Sequence, residues 1–501
     1  MRTVPPFPPH EMRALMLEVL PTETSLFGAN PEPRYVYLPA SHVKALHPSA
    51  MVVAGMRGAG KSFWWAALQQ PNIRALVSQL EPRAGVEEQS RIAVGFGEKP
   101  DLDQYPSKDV LKDLLQREEV TPRLIWRTVV VHKLADTAAP PANLSDWKAR
   151  VRWVASNPEA VDRLLAEKDA EFARTNTWFI VLFDALDRSA AEWRDIRRLI
   201  RGLLETALDF RVYSRLRVKC FLRIDQLEDS HVTDFPDASK VLASRVELTW
   251  PVTDLYGLLW QYLANAAHPW AETFRQLAGK NFRIQWATTQ LQNDLVWRMS
   301  PDLVHDENTQ RDLVHAITGK WMGRDHRRGF PYTWIPGHLA DARGRTSPRS
   351  FLAALRAAAE DTEKCYPEHS HALHYESIKR GVQSASQIRV TELKEDYPWV
   401  DLLMEPLHGL NVPCKFDEIV SRWNEADIFN KARHQIDAME DRQPPLALLY
   451  ADPEGLRRDL EDLGVFLRTR DNRVNIPDVF RVGYGLGRRG GVKPVPKMAR
   501  S

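Results

Sequence analysis

One stretch constrains this chain more than any other: Met51-Val52-Val53-Ala54-Gly55-Met56-Arg57-Gly58-Ala59-Gly60-Lys61-Ser62. Apolar and small residues lead into a glycine-rich loop, and Phe63-Trp64-Trp65-Ala66-Ala67-Leu68 continues with a helical pattern. The loop fits G-x-x-x-x-G-K-S, the phosphate-binding P-loop. Gly55, Gly58 and Gly60 let backbone N–H groups turn inward with no Cβ in the way. Those donors and the positive end of the following helix together favour phosphate oxygens. Lys61 is then placed to reach the β- and γ-phosphates, and the Ser62 hydroxyl to hold Mg²⁺. The expected nucleotide-binding set is Gly55, Arg57, Gly58, Ala59, Gly60, Lys61, Ser62 and Phe63, with ATP and Mg²⁺ as ligands.

A P-loop needs an acidic residue on a second strand. Trp178-Phe179-Ile180-Val181-Leu182-Phe183 is a continuous apolar run ending in Asp184. Such a run suits a strand buried on both faces of a parallel sheet, and ligands bind at the carboxyl ends of such strands. Asp184 is therefore the expected magnesium-site aspartate, beside Ser62. Asp187 follows closely, either as a base or water orienter or as the N-cap of the next helix. A third strand, Leu216 to Leu222, leads into Arg223-Ile224-Asp225, and Ser244 to Trp250 reads as a further strand. The long span 72–176 reads as an insertion in the α/β domain, with a strand at Leu124–Val131 and a charged helix near 158–173.

Gly55 to Ser62, Phe183-Asp184-Ala185-Leu186-Asp187-Arg188 and Phe221-Leu222-Arg223-Ile224-Asp225 together resemble the P-loop ATPases of the AAA+/STAND branch. The D-x-x-D-R pattern is most similar to bacterial STAND-like members. The resemblance covers roughly residues 35–265 and implies an α/β P-loop NTPase core with a mostly parallel sheet. It implies that Arg223 or Asp225, at a strand end beside the magnesium strand, senses the γ-phosphate. Arg349, at the start of a late helix opened by Ser347-Pro348, is similar in placement to a lid arginine with the same task. An arginine of this kind acts in cis or from a neighbouring subunit, so a homo-oligomer is compatible. The resemblance departs at Ala185, where many ATPases place a glutamate that activates water. That favours slow, switch-like turnover over fast motor-like turnover. Work in a multi-protein bacterial defence system follows only by analogy.

At 501 residues the chain is long enough for two or three domains. Its net charge of +2 argues neither for nor against nucleic acid. Cys220, Cys365 and Cys414 are three, far apart, and form no disulfide framework. No apolar run approaches the roughly 18 residues needed to cross a bilayer, and the N-terminus lacks the apolar core of a secretion signal. The expectation is a cytoplasmic protein with no membrane partner.

The expected domains are an N-terminal extension (1–34), the ATPase core (35–265), a helical lid region (266–387), a winged-helix-like domain (388–485) and a basic tail (486–501). In the last domain, a helix from Pro453 to Gly464 precedes a two-stranded wing turning at Asp471-Asn472. Basic residues from Arg468 on (Arg470, Arg473, Arg481, Arg488, Arg489, Lys493, Lys497, Arg500), among glycines that include Gly490 and Gly491, suit a phosphate backbone. A protein-contact winged helix or a solvated tail are the other readings. Cys365, His369, His371 and His374 match no common zinc spacing and read as solvated side chains. Function then divides between an ATP-hydrolysing switch and a non-hydrolysing, nucleotide-bound scaffold that binds DNA or a protein through its C-terminal domain. A small-molecule kinase is disfavoured, since no acceptor site is legible.

Overall fold

The apolar runs of the first half become strands because both faces of each are covered. The computed structural model describes residues 5–22, 30–291, 294–432, 446–489 and 492–494. β1 (Val52–Gly55), β2 (Arg91–Phe96), β3 (Phe179–Phe183), β4 (Leu216–Arg223) and β5 (Arg245–Glu247) form one parallel sheet in the order β2-β3-β4-β1-β5. Every residue of β1 and β3 is buried. Gly55 lies opposite Arg223 and Phe183 opposite Cys220, so β1, β3 and β4 bring the P-loop, Asp184 and Arg223 to one edge of the sheet.

Helices Pro122–Leu134 and Trp193–Asp209 share one apolar cluster with Val52, Val181, Phe183 and Val218. Their approach is close: a Cβ on Gly202 would sit 2.5 Å from Pro122 Cβ and 2.6 Å from the Arg123 amide nitrogen. On β4, Lys219 is fully buried. Its ammonium donates to the carbonyls of Ala45, His47 and Ala50 at 2.8, 2.9 and 2.6 Å, satisfying acceptors at the end of helix Ala40–Leu46.

The structure corrects the reading of 124–131, which is part of helix Pro122–Leu134 and not a strand. Its apolar run is long because the helix is buried on most sides, a pattern that periodicity does not separate from a buried strand. The local signal was the cap: Thr121 accepts from the Leu124 N–H at 3.2 Å, and Pro122 opens the first turn. The span read as an insertion also supplies β2, so it contributes an edge strand to the sheet itself.

Residues 30–249 form one compact unit, and residues up to 29 with those from 250 onward form another. In the second unit, helix Pro9–Val19 lies on helix Pro348–Cys365, with the buried Arg13 held by Glu363 at 2.6 Å and by the Pro367 carbonyl at 2.5 Å. Helix Tyr375–Asp396 runs along Pro348–Cys365 so closely that a Cβ on Gly381 would meet the Ala354 carbonyl at 2.2 Å. The helical reading of the 266–387 region is corrected by an antiparallel hairpin of β6 (Trp286–Leu291) and β7 (Asp294–Met299).

Near the C-terminus, helices Phe416–Glu425 and Pro453–Asp462 precede a hairpin of β8 (Leu467–Arg468) and β9 (Val474–Asn475), and Val474 also bridges to Cys414. That is a winged-helix-like arrangement around Trp423, Leu456, Leu460 and Ile476. Asn472, at φ 61°, makes the wing's turn. Of the basic residues read as a backbone-tracking tail, Arg481 is instead fully buried against Asp478 at 2.7 Å. Gly490, Gly491, Lys497 and Arg500 lie outside the described residues. Among the described residues, no helix is long and apolar enough to cross a membrane, and no group of histidine, cysteine or acidic side chains suits a metal ion. His374 stacks on Tyr366 at 3.8 Å.

Candidate nucleotide site

The P-loop turns between β1 and helix Lys61–Gln69 through Gly58 at φ +80° and Gly60 at φ +100°. A Cβ at either position would be strained, which is why the motif needs glycine there. Gly55 sits in a tight space: a Cβ would lie 3.1 Å from that of Ala59. The Ala59 amide donates to the Met56 carbonyl at 3.1 Å, closing the loop. Phe63 packs edge-on to Trp64 at 5.2 Å, and Arg57 lies partly exposed on the loop.

Lys61 donates to the carbonyls of Gly55 and Met56 at 2.9 and 3.0 Å. Burial pushes its pKa down to about 8, opposed by Asp184, reinforced by Arg223, and opposed further by Asp225 and Asp187. Four charged side chains from the ends of β3 and β4 therefore act on the P-loop lysine. Asp184 is 6% exposed. Burial raises its pKa, while a hydrogen bond from Ser62 and the charge of Lys61 pull it back. Ser62 and Asp184 thus meet as a hydroxyl and a carboxylate. Two oxygen donors of this kind fit Mg²⁺, which takes one or two carboxylates and completes its shell with phosphates and water.

Ala185 holds a left-handed conformation at φ 57° and turns the chain off β3 into the short 3-10 turn Leu186–Arg188. Leu186 is buried by that turn, and Asp187 and Arg188 are exposed. Asp187 is therefore not the N-cap of the next helix, whose cap position is Glu192. Arg188 reaches Glu98, just beyond β2. Arg223 is 8% exposed and lies against Asp225. These placements put the glycine-rich loop with Lys61 and Ser62, the Asp184 carboxylate and an arginine at one end of the sheet.

The unit is an α/β P-loop core, a five-stranded parallel sheet with the glycine-rich loop after β1. No family model matches the chain, and no curated protein matches it. Among solved structures, it overlays on the Aeropyrum pernix ORC2 protein, solved in ADPNP and ADP complexes, at 11% identity, covering 89% of this chain and 93% of that one, with a TM-score of 0.30. It overlays on the Aeropyrum pernix ORC1 protein, solved in complex with DNA, at 14% identity and 93% of each chain, with a TM-score of 0.33. Strand order and the P-loop assign the fold here, independently of those overlaps.

Arg349 belongs to the other unit, on the first turn of helix Pro348–Cys365. It is ion-paired with Glu392 at 2.7 Å. Ser347 holds the N-cap position as expected, although its hydroxyl makes no capping bond.

One support of the site was not legible in the sequence. The Trp64 indole donates to His42 Nδ1 at 3.0 Å, which leaves the proton on Nε2 to donate to the Thr249 carbonyl at 3.2 Å. Burial pushes the His42 pKa down to about 3, so the ring stays neutral and keeps that tautomer. A lone histidine before the P-loop strand carries no local signal for such a contact.

Proposed function

We propose that this chain is an ATP-dependent switch. It binds ATP with Mg²⁺ at the P-loop core and hydrolyses it slowly. The observation that carries this is Lys61, held on the Gly55 and Met56 carbonyls close to the buried Asp184, at the carboxyl ends of β1 and β3. In this reading Lys61 and the backbone amides of 55–62 hold the phosphates, Ser62 and Asp184 hold the metal, and Asp187 orients the attacking water. With no glutamate at Ala185, Asp187 is the acid nearest the metal pair along this strand end. Residues 266–387 act as the lid. The Asp184-x-x-Asp187-Arg188 sequence supports the STAND-like branch, and a defence role rests on that analogy.

The winged helix supports a nucleic-acid partner of a particular kind. Helix Pro453–Asp462 carries Glu454, Asp459, Glu461 and Asp462 against Arg457 and Arg458, and Arg457 is spent on Glu454 at 2.7 Å. That helix repels phosphates. The wing exposes Arg468, Arg470 and Arg473 against Asp471 alone. A nucleic-acid backbone would be met by the wing, without base reading by the helix.

Phosphate release from ATP and Mg²⁺, with and without double-stranded DNA, tests the switch against Asp187→Ala. The expected result is release that rises with DNA and falls about a hundredfold in the variant. Tight ATP binding with no release under any condition would instead establish the scaffold reading.

A further inference from the structure

We propose that the amino-terminal end of the parallel sheet is a docking surface for an acidic protein segment with an apolar residue, which Arg215, Arg217 and Val212 would contact. This surface lies at the opposite end of the strands from the glycine-rich loop and does not depend on the nucleotide reading.

Alternation along the strands builds the surface. Phe179, Val181, Leu216 and Val218 belong to the apolar cluster on one face of the sheet. Trp178, Arg215 and Arg217 therefore stand on the other face, because neighbours along a strand point to opposite sides. Both guanidiniums lie over the Trp178 ring, 4.8 and 5.0 Å from its centre. Just before them, the short turn Phe210–Val212 leaves Val212 83% exposed beside the exposed Arg211.

The positive charge at this end lacks acidic partners. Among the described residues, Arg211, Arg215 and Arg217 form no ion pair, whereas Arg123, Arg127, Arg197 and Arg201 of the same unit each hold a carboxylate. Arg215 donates to Asn176 Oδ1, and Arg217 donates to the carbonyls of Tyr213 and Leu216. Asp169 acts on Arg217, but its oxygens accept from the Ser214 N–H, the Ser214 hydroxyl and the Arg215 N–H at 2.9, 2.9 and 2.6 Å. Burial holds the Arg217 pKa below its usual value; Asp169 opposes this, and the charge of Arg215 adds to it. Arg211 follows helix Trp193–Asp209 and offsets its dipole. Arg215 and Arg217, at the start of β4, have no such role.

A guanidinium laid on an indole keeps N–H edges that match a carboxylate. Carboxylates from a partner would relieve the repulsion between the two arginines, and an apolar residue beside them would cover Val212. A phosphate chain fits less well. Helices Pro158–Arg174 and Trp193–Asp209 both end on this side, so the negative ends of their dipoles lie here with Asp169, Glu171 and Asp209. A nucleic-acid backbone, spread over many phosphates, would meet those charges, and a short segment seated on two arginines would not.

The test is fluorescence anisotropy on the full chain with a labelled peptide of glutamates and aspartates around a leucine pair. Arg215→Ala with Arg217→Ala should weaken binding about tenfold or more, the size of one or two charge-assisted hydrogen bonds. Arg468→Ala with Arg470→Ala removes the same charge from the wing and should leave the affinity unchanged. Val212→Ser should weaken the leucine peptide severalfold and leave unaffected the same peptide with serines for leucines. Equal affinity in the Arg215 and Arg217 variant, an equal loss in the wing variant, no effect of Val212→Ser, or no binding by the wild type overturns the proposal. So does a random-sequence DNA duplex that loses more affinity than the peptide in the Arg215 and Arg217 variant, which would assign the surface to nucleic acid. Circular dichroism melts check that the arginine variant is folded; if it is not, Val212→Ser at its exposed position decides.

Discussion

Lys61 ties the sequence motif to a measurable property. Its ammonium is buried against two loop carbonyls, and its pKa is pushed down to about 8. Nucleotide phosphates need the charged form. Above about pH 8 the free protein must take up a proton in order to bind, so ATP affinity should be roughly tenfold weaker at pH 9 than at pH 7. Fluorescence titration across that range checks this, and a flat profile would separate Lys61 from the phosphates. Lys61→Ala should abolish tight ATP binding and leave the thermal melt near that of the wild type, because the side chain holds only carbonyls of its own loop. At this scale much of the site was legible. Gly58 and Gly60 take the positive φ that the loop sequence predicts, and Lys61, Ser62 and Asp184 lie at the strand ends where the sequence reading put them. Arg481 was misread, since a charge count along a tail does not reveal that one arginine is buried with Asp478.

Elements were legible where their ends carried chemistry and illegible where burial was complete. The helix before the wing ends at Gly464, at φ +75°, and the apolar strand before Asp184 was found from its composition. Residues 124–131 failed because a helix covered on most sides shows no polar face to set its period. The packing of that helix supplies a prediction. Gly202→Ala forces a methyl into Pro122 and the Arg123 backbone and should destabilise the protein by about 1–3 kcal/mol. Gly337, inside helix Pro331–Leu339, has open space around the same added atom. Gly337→Ala should therefore raise stability by about 0.5–1 kcal/mol. Denaturant melts of the two variants check both signs, and a Gly202→Ala variant as stable as wild type would refute the close approach.

On the scale of the whole molecule, the chain divides where no composition change marks it, after residue 29 and after residue 249. Among the described residues, the apolar cluster around the sheet draws on residues 51–242. A fragment of residues 30–249 should therefore melt cooperatively by circular dichroism and bind ATP; a molten fragment would mean that its core depends on the other unit. The wing yields a prediction at the same scale. If DNA binds there, Arg468→Ala, Arg470→Ala and Arg473→Ala together should reduce the slope of log affinity against log salt by about 2–3, while Arg458→Ala should leave it unchanged. An unaltered slope in the triple variant would turn the search toward a protein partner. The sequence by itself determined the glycine-rich loop, the acid at the end of β3 and the presence of a parallel sheet, because those rest on short motifs whose backbone and charge requirements are local. Strand order, the β2 edge strand, the Arg223–Asp225 ion pair and the pairing of residues 5–22 with the C-terminal half were decided only in three dimensions. Each depends on contacts between segments distant in the chain, or on which donor edge faces which carboxylate, and no local residue pattern encodes either.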